Sequence, residues 1–133
     1  MDDLISDKDY RALAGFRRQL RTFLSFSEDA AVAAGITAQQ HQALLALRAS
    51  PDLALPVGEL ADQLRLRPHS ASGLIDRLEK LDLVRRTAGT TDRRSVTVVL
   101  TPAGANKIAA LALTHRGELR RLRPLLLNML SDL

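Results

Sequence analysis

Two arginines, Arg93 and Arg94, follow Asp92 in a short polar stretch, AGTTDRR, that separates two runs of β-forming residues. A guanidinium is a planar, permanently charged fork that fits a phosphate or the edge of a guanine. Arginines at the tip of an extended loop also suit the narrow, electronegative minor groove of a duplex. Asp92 is placed to orient a neighbouring guanidinium through a charge-assisted bond. A second group lies upstream, where His69, Ser70, Ser72, Gly73 and Arg77, with Asp76 and Lys80, share one side of a stretch. Its other side is Ala71, Leu74, Ile75, Leu78 and Leu81, recurring every three or four positions as one buried helical stripe. Small, hydrogen-bonding and basic side chains over an apolar back are the chemistry of base-edge recognition in a major groove. Arg77 has two destinations, a phosphate or a carboxylate such as Asp76. Arg85 and Arg86 alternate along a strand, so one at most faces a duplex and the other is structural.

The elements that must position these groups follow from the surrounding pattern. Gly58 to Leu64 is a short helix with Leu60, Ala61 and Leu64 at helical spacing, interrupted by Leu66-Arg67-Pro68. Pro68 lacks a backbone donor and suits the first turn of the next helix, which runs to Leu81. Leu83 to Arg86 starts one strand and Ser95 to Leu100, β-branched and largely alternating, is the other. Helix, turn, helix and basic hairpin make a winged helix. Upstream, Asp7 to about Ala34 reads as one long helix with a Leu13, Phe16, Leu20, Phe23 seam, and Gly35 is its stop. Thr37 and Gln40 form a capping box for a helix to about Ala49 that buries Ala43, Leu44 and Leu47. Residues 51–56 form a loop with room for one short strand beside the hairpin. Thr101-Pro102 starts a further helix whose face carries Ile108, Leu111, His115, Leu119 and Leu122. Pro124 then predicts a break or kink near Arg123, leaving Leu125 to Leu133 as a short apolar helix that suits burial against another subunit.

Composition bounds the class. A chain of 133 residues with 46% hydrophobic and 26% charged residues is expected to be one soluble domain without room for a separate catalytic one. The net charge of +4 fits a polyanion partner. No cysteine is present, which removes disulfides, cysteine metal sites and thiol redox sensing. No apolar run reaches the roughly 20 residues of a membrane span. The acidic start MDDLISDKDY has no signal-peptide core, so the cytoplasm is the expected compartment. His41, His69 and His115 are scattered, with no metal-ligand spacing, and no metal or other cofactor is expected. His115, on the apolar side of a helix, reads as a buried, hydrogen-bonded histidine. There is no Gly-rich phosphate loop, no nucleophile with a positioned base and no carboxylate pair flanked by histidine, so no enzyme is expected.

Five pieces, in order and at matching spacing, give the chain a resemblance: Leu60-Ala61; Gly73-Leu74-Ile75-Asp76-Arg77-Leu78-Glu79; Leu83-Val84-Arg85-Arg86; Asp92-Arg93-Arg94; and Leu100-Thr101-Pro102-Ala103-Gly104. They resemble the multiple antibiotic resistance regulator (MarR) family, more loosely over nearly the whole chain. The resemblance implies a mainly α fold, an α+β winged helix-turn-helix at 36–101 within a single domain 1–133. Helical segments 1–35 and 102–133 would form a dimerisation region. It implies a homodimer on double-stranded DNA with two recognition helices about 34 Å apart, a pseudo-palindromic operator, and action as a repressor. It also implies an effector pocket between the dimer helices and the winged part, where Tyr10, Phe16, Phe23 and Phe26 could line a small phenolic or lipophilic ligand. Core packing accounts for those aromatics equally well.

Three positions depart from the pattern. Pro56 stands where relatives often have a capping Ser or Thr, and Asp82 where they usually have Gly. Gly73 replaces a longer side chain within a helix, at a cost of roughly 1 kcal/mol relative to Ala. Close approach to a DNA backbone and local packing are both open accounts of it. Direct base contacts are therefore expected from few residues, with much of the selectivity indirect. Two other functions stay open: a winged helix used for protein–protein contact, and an architectural DNA binder of low specificity.

Overall fold

A computed structural model describes residues 4–88 and 95–133. The wing-tip residues Asp92, Arg93 and Arg94 lie outside the described residues. The chain forms α1 (Asp7–Ala33), α2 (Ala38–Arg48), a 3-10 turn (Pro51–Leu53), β1 (Ala54–Pro56), α3 (Val57–Leu64), α4 (Pro68–Lys80), β2 (Val84–Ala88), β3 (Val96–Leu100) and α5 (Pro102–Ser131).

Caps set these boundaries. Ser6 and Asp9 form a capping box at the start of α1, and Thr37 and Gln40 form another at the start of α2, as their spacing predicts. Three helices end in the same left-handed turn, in which the amide that follows the left-handed residue reaches back five positions. After α1 the left-handed residue is Gly35, with Ile36 N–H donating to Ala31 O. After α3 it is Arg65, with Leu66 donating to Ala61 O, and after α4 it is Asp82, with Leu83 donating to Leu78 O. Asp82 thus does the work that glycine usually does, with a φ of 60°. Pro56 precedes α3 and makes no side-chain cap.

The short strand foreseen near residues 51–56 is β1. It pairs antiparallel with β3, which pairs with β2, giving the order β1-β3-β2. One continuous core joins α2, α3, α4, the sheet and the base of α5 through Leu44, Leu47, Leu60, Leu74, Ile75, Leu78, Val98 and Ile108. Leu81 was expected on the buried stripe, but α4 ends at Lys80. Leu81 follows the last helical residue and is 48% exposed. Leu119, expected on the covered face of α5, is also largely exposed.

The largest departure is at Pro124. A proline inside a helix removes one hydrogen bond and costs about 3 kcal/mol, yet α5 runs unbroken from Pro102 to Ser131 with Pro124 inside it. Packing on both sides of the proline explains this. Leu122 is buried just before it. Beyond it Met129 lies over Gly15 of α1, where even a methyl group would sit 3.2 Å from the methionine Cε. Lys8 approaches Asp132 at 3.7 Å. Helices α1 and α5 therefore form an antiparallel pair that keeps the C-terminal segment helical beyond the proline.

At its other end α5 is seated on the turn that follows α4. The Thr101 hydroxyl donates to Asp82 O at 2.7 Å and accepts from Gly104 N–H at 3.0 Å. Gly104 is packed so closely that an added Cβ would lie 2.1 Å from Leu83 O.

Candidate nucleic-acid interface

Helix α4 exists because its apolar stripe is buried. Ala71, Leu74, Ile75 and Leu78 are all covered by the core. The opposite face is open: His69, Ser70, Ser72, Asp76, Arg77 and Lys80 are exposed and Gly73 is half-buried. All five recognition-helix residues singled out from the sequence thus lie on one helix, away from the core. Arg67 precedes the helix without making a side-chain cap. Its first-turn amides therefore point outward, as anion-binding helix starts do. Arg77 makes no ion pair among the described residues. Its guanidinium lies back over Gly73, where a Cβ would meet the two terminal nitrogens at 3.9 Å, an ordinary contact. Intramolecular packing therefore does not require glycine at position 73.

Strand β2 resolves the Arg85–Arg86 alternation. Arg85 is exposed and without an ion pair among the described residues. Arg86 turns onto the flank of α4. Its guanidinium binds Glu79, lies 2.8 Å from Asp76 Oδ1 and donates to Ser72 O at 3.1 Å. Its backbone N–H also donates to Glu79 Oε2 at 3.1 Å. Burial alone would lower the Arg86 pKa, but the bonds to Glu79 and Asp76 more than offset this and hold it above the usual arginine range. Asp76 is therefore the partner of Arg86, not of Arg77. Sequence spacing could not show this, because the residues meet only once β2 lies along the helix.

A second cluster sits where α1, α2 and α5 meet. The His41 and His115 rings stack with centroids 4.6 Å apart, and Phe23 and Phe26 meet His115 edge-on. His115 is hydrogen-bonded, as its position predicted, with Nδ1 at 2.7 Å from Leu111 O and Nε2 at 2.7 Å from Ser27 Oγ. His41 is 6% exposed; burial first, and the nearby His115 second, depress its pKa. Of the four aromatics proposed around a ligand, Phe23 and Phe26 come together here and Phe16 is half-buried further along α1. Tyr10 is 63% exposed and lies roughly 20 Å from Phe23 along the helix. Beside the cluster runs a groove between α2 and α5, about 480 Å³ in volume, floored by Leu45, Ile108 and Ala112 and flanked by Arg48 and Arg116. It continues past His115 to Arg120 and Arg123. No group of three or more metal-ligating side chains occurs among the described residues.

Fold and site together define a winged helix-turn-helix protein with a long helical pair attached. The model of the MarR family matches residues 34–95 of the chain. It is 31% identical over 103 residues to the HTH-type transcriptional repressor MdtR of Bacillus subtilis (strain 168), a match spanning 77% of this chain and 63% of that protein. Among solved structures it resembles AbsC, a MarR family transcriptional regulator from Streptomyces coelicolor. That match has a TM-score of 0.75 and 25% identity, and covers 89% of this chain and 80% of the other. A further S. coelicolor MarR family regulator, solved in complex with DNA, shares the fold with a TM-score of 0.73 at 22% identity, over 89% of this chain and 75% of the other. No described helix is long and apolar enough to cross a membrane.

Proposed function

We propose that the protein is a transcriptional regulator that binds double-stranded DNA sequence-specifically as a homodimer. In this reading it acts as a ligand-responsive repressor on a pseudo-palindromic operator. The observation that carries it is α4: four apolar residues buried behind an exposed face of His69, Ser70, Ser72, Gly73 and Arg77. Asp92, Arg93 and Arg94 would supply the wing contacts. Two similar proteins, a repressor and a regulator crystallised with DNA, agree with this.

Segments 1–35 and 102–133 would form the dimerisation part around the winged part, 36–101. Supporting this, α1 and α5 carry exposed Leu13, Leu20, Leu24, Leu127 and Leu130, more apolar surface than a lone helical pair would leave in water. A phenolic or lipophilic effector would lodge in the α2–α5 groove beside His115, whose ring is backed by Phe23 and Phe26. The flanking Arg48, Arg116, Arg120 and Arg123 favour an anionic head group. Binding there would release DNA by favouring another spacing of the two α4 helices.

Footprinting of the purified protein on fragments of its own genome, with a salt titration, tests the proposal. The expected result is a protected two-fold site with half-sites about one helical turn apart, and an affinity that falls steeply with salt. Equal affinity for every sequence would favour the architectural reading, which the small side chains of α4 keep in view. No salt-dependent binding would favour a protein–protein module.

A further inference from the structure

We propose that Arg86 is a positioning residue for DNA recognition: it ties β2 to α4 and so sets the rotation at which α4 presents its reading face, without itself touching the duplex. This rests on the DNA-binding reading above and identifies what would make that binding selective.

The residues held by Arg86 are Ser72, Asp76 and Glu79, spaced four and then three apart. They form a stripe along one flank of α4, bordering the face of His69, Ser70, Ser72, Gly73 and Arg77, with Ser72 common to both. One side chain thus grips about 10 Å of helix. Glu79 adds a second tie: one oxygen takes the guanidinium, the other the Arg86 backbone N–H. That amide faces away from β3 on an edge strand of the sheet, so α4 closes the edge that β2 leaves open. The apolar stripe on the opposite side holds α4 against the core, but hydrophobic burial is non-directional. Bonds along a flank resist rotation about the helix axis. The margin is small, because a turn of about 20° moves a side-chain tip at ~6 Å radius by roughly 2 Å. That shift exceeds what a base-edge hydrogen bond tolerates.

Charge separates Arg86 from a phosphate contact. Its guanidinium is shared between two carboxylates, so the cluster carries a net negative charge and has none to offer a phosphate. Arg77 and Arg85 are exposed and make no ion pair among the described residues, so they remain available.

The test compares wild type, Arg86→Gln, Arg86→Lys and Glu79→Gln. Each is titrated against the footprinted operator duplex and a random duplex at several salt concentrations, and its thermal midpoint is recorded. The proposal expects operator affinity to fall about tenfold or more in all three variants, the size of a lost base contact. Random-duplex affinity should stay within about twofold, with an unchanged salt slope. Lys retains the charge but cannot bridge three acceptors in one plane, so Arg86→Lys should resemble Arg86→Gln. Glu79→Gln is decisive because it removes a negative charge near the DNA. If Arg86 were a phosphate contact held in check, this change would strengthen binding to both duplexes, and that outcome overturns the proposal. So does a salt slope reduced by about 0.9 in Arg86→Gln, or a lowered thermal midpoint with an unchanged operator-to-random ratio. If Arg86→Gln does not fold, Arg86→Lys and Glu79→Gln decide alone. Wild-type protein that binds no duplex at any salt defeats the parent reading and this one together, before any variant is made.

Discussion

The winged body and the α1–α5 pair are built from similar residues but finished differently. In the body, leucines at 44, 47, 60 and 78 are wholly buried around α2 and α4. Along the helical pair Leu20, Leu24, Leu127 and Leu130 are each at least 43% exposed. Its buried residues are few: Ala12, Ala31, Leu111 and Leu122 besides those at the base of α5. The body has an interior of its own. The pair has half of one, and leaves leucines bare on both helices. A region that folds to completion and a region that waits for cover respond differently to substitution, to concentration and to pH.

The contact where the two regions join should be the most sensitive. Gly104→Ala would force a Cβ to within 2.1 Å of Leu83 O, a backbone clash that no rotamer relieves. A loss of about 3 kcal/mol or more is expected in urea unfolding, affecting both regions at once. An unchanged midpoint would mean that α5 is not seated as described.

The contrast between the regions is sharpened by a pair of substitutions. Leu78→Ala removes a fully buried side chain from the body and should cost about 3 kcal/mol. Leu20→Glu, on the bare face of α1, should barely change the unfolding of the body. In sedimentation it should weaken self-association about tenfold or more, since a buried unpaired charge is costly. If Leu20→Glu instead destabilised the fold as much as Leu78→Ala, the division into two regions would be wrong.

Gly73→Ala separates stability from recognition within the body. The added methyl has room and improves helix propensity, so the unfolding free energy should rise by up to about 1 kcal/mol. Operator affinity should fall if α4 lies close to a DNA backbone, and a gain in both would remove that account of the glycine.

The smallest effect should come from His41, which lies between the regions. Its folded pKa is depressed, so the unfolded chain binds the extra proton. That contribution is complete above the unfolded imidazole value, about 6.5, and is lost as pH falls below it. Unfolding midpoints at pH 8 and pH 5 should differ in that direction, and His41→Phe should reduce the difference.

Much of the body was legible in the chain because its signals are local. The Thr37–Gln40 box, Gly35, Pro68 and the α4 stripe each declare themselves within a few residues. What stayed hidden depends on distant pairings. His115 finds Ser27 across 88 positions, and Arg86 finds a flank of α4 only through the course of β2. Pro124 misled for the same reason: a proline is a local signal, and the packing of Met129 on Gly15 outweighs it. Gly104 stood in the sequence as part of a motif, and only the approach of Leu83 O explains why a side chain cannot stand there. The position of Leu81 was misjudged by one residue, because α4 ends where Asp82 takes the left-handed turn.

The bridge made by Thr101 sets a mechanical ratio. Helix α5 is about 45 Å long and is pinned to the turn after α4 by the Thr101 hydroxyl, between Asp82 O and Gly104 N–H, and by the Thr101 N–H on Leu83 O. A sideways excursion of roughly 4 Å at the far tip turns the pinned end by only about 5°. A displacement of the whole helix, by contrast, would reach the turn after α4 undiminished.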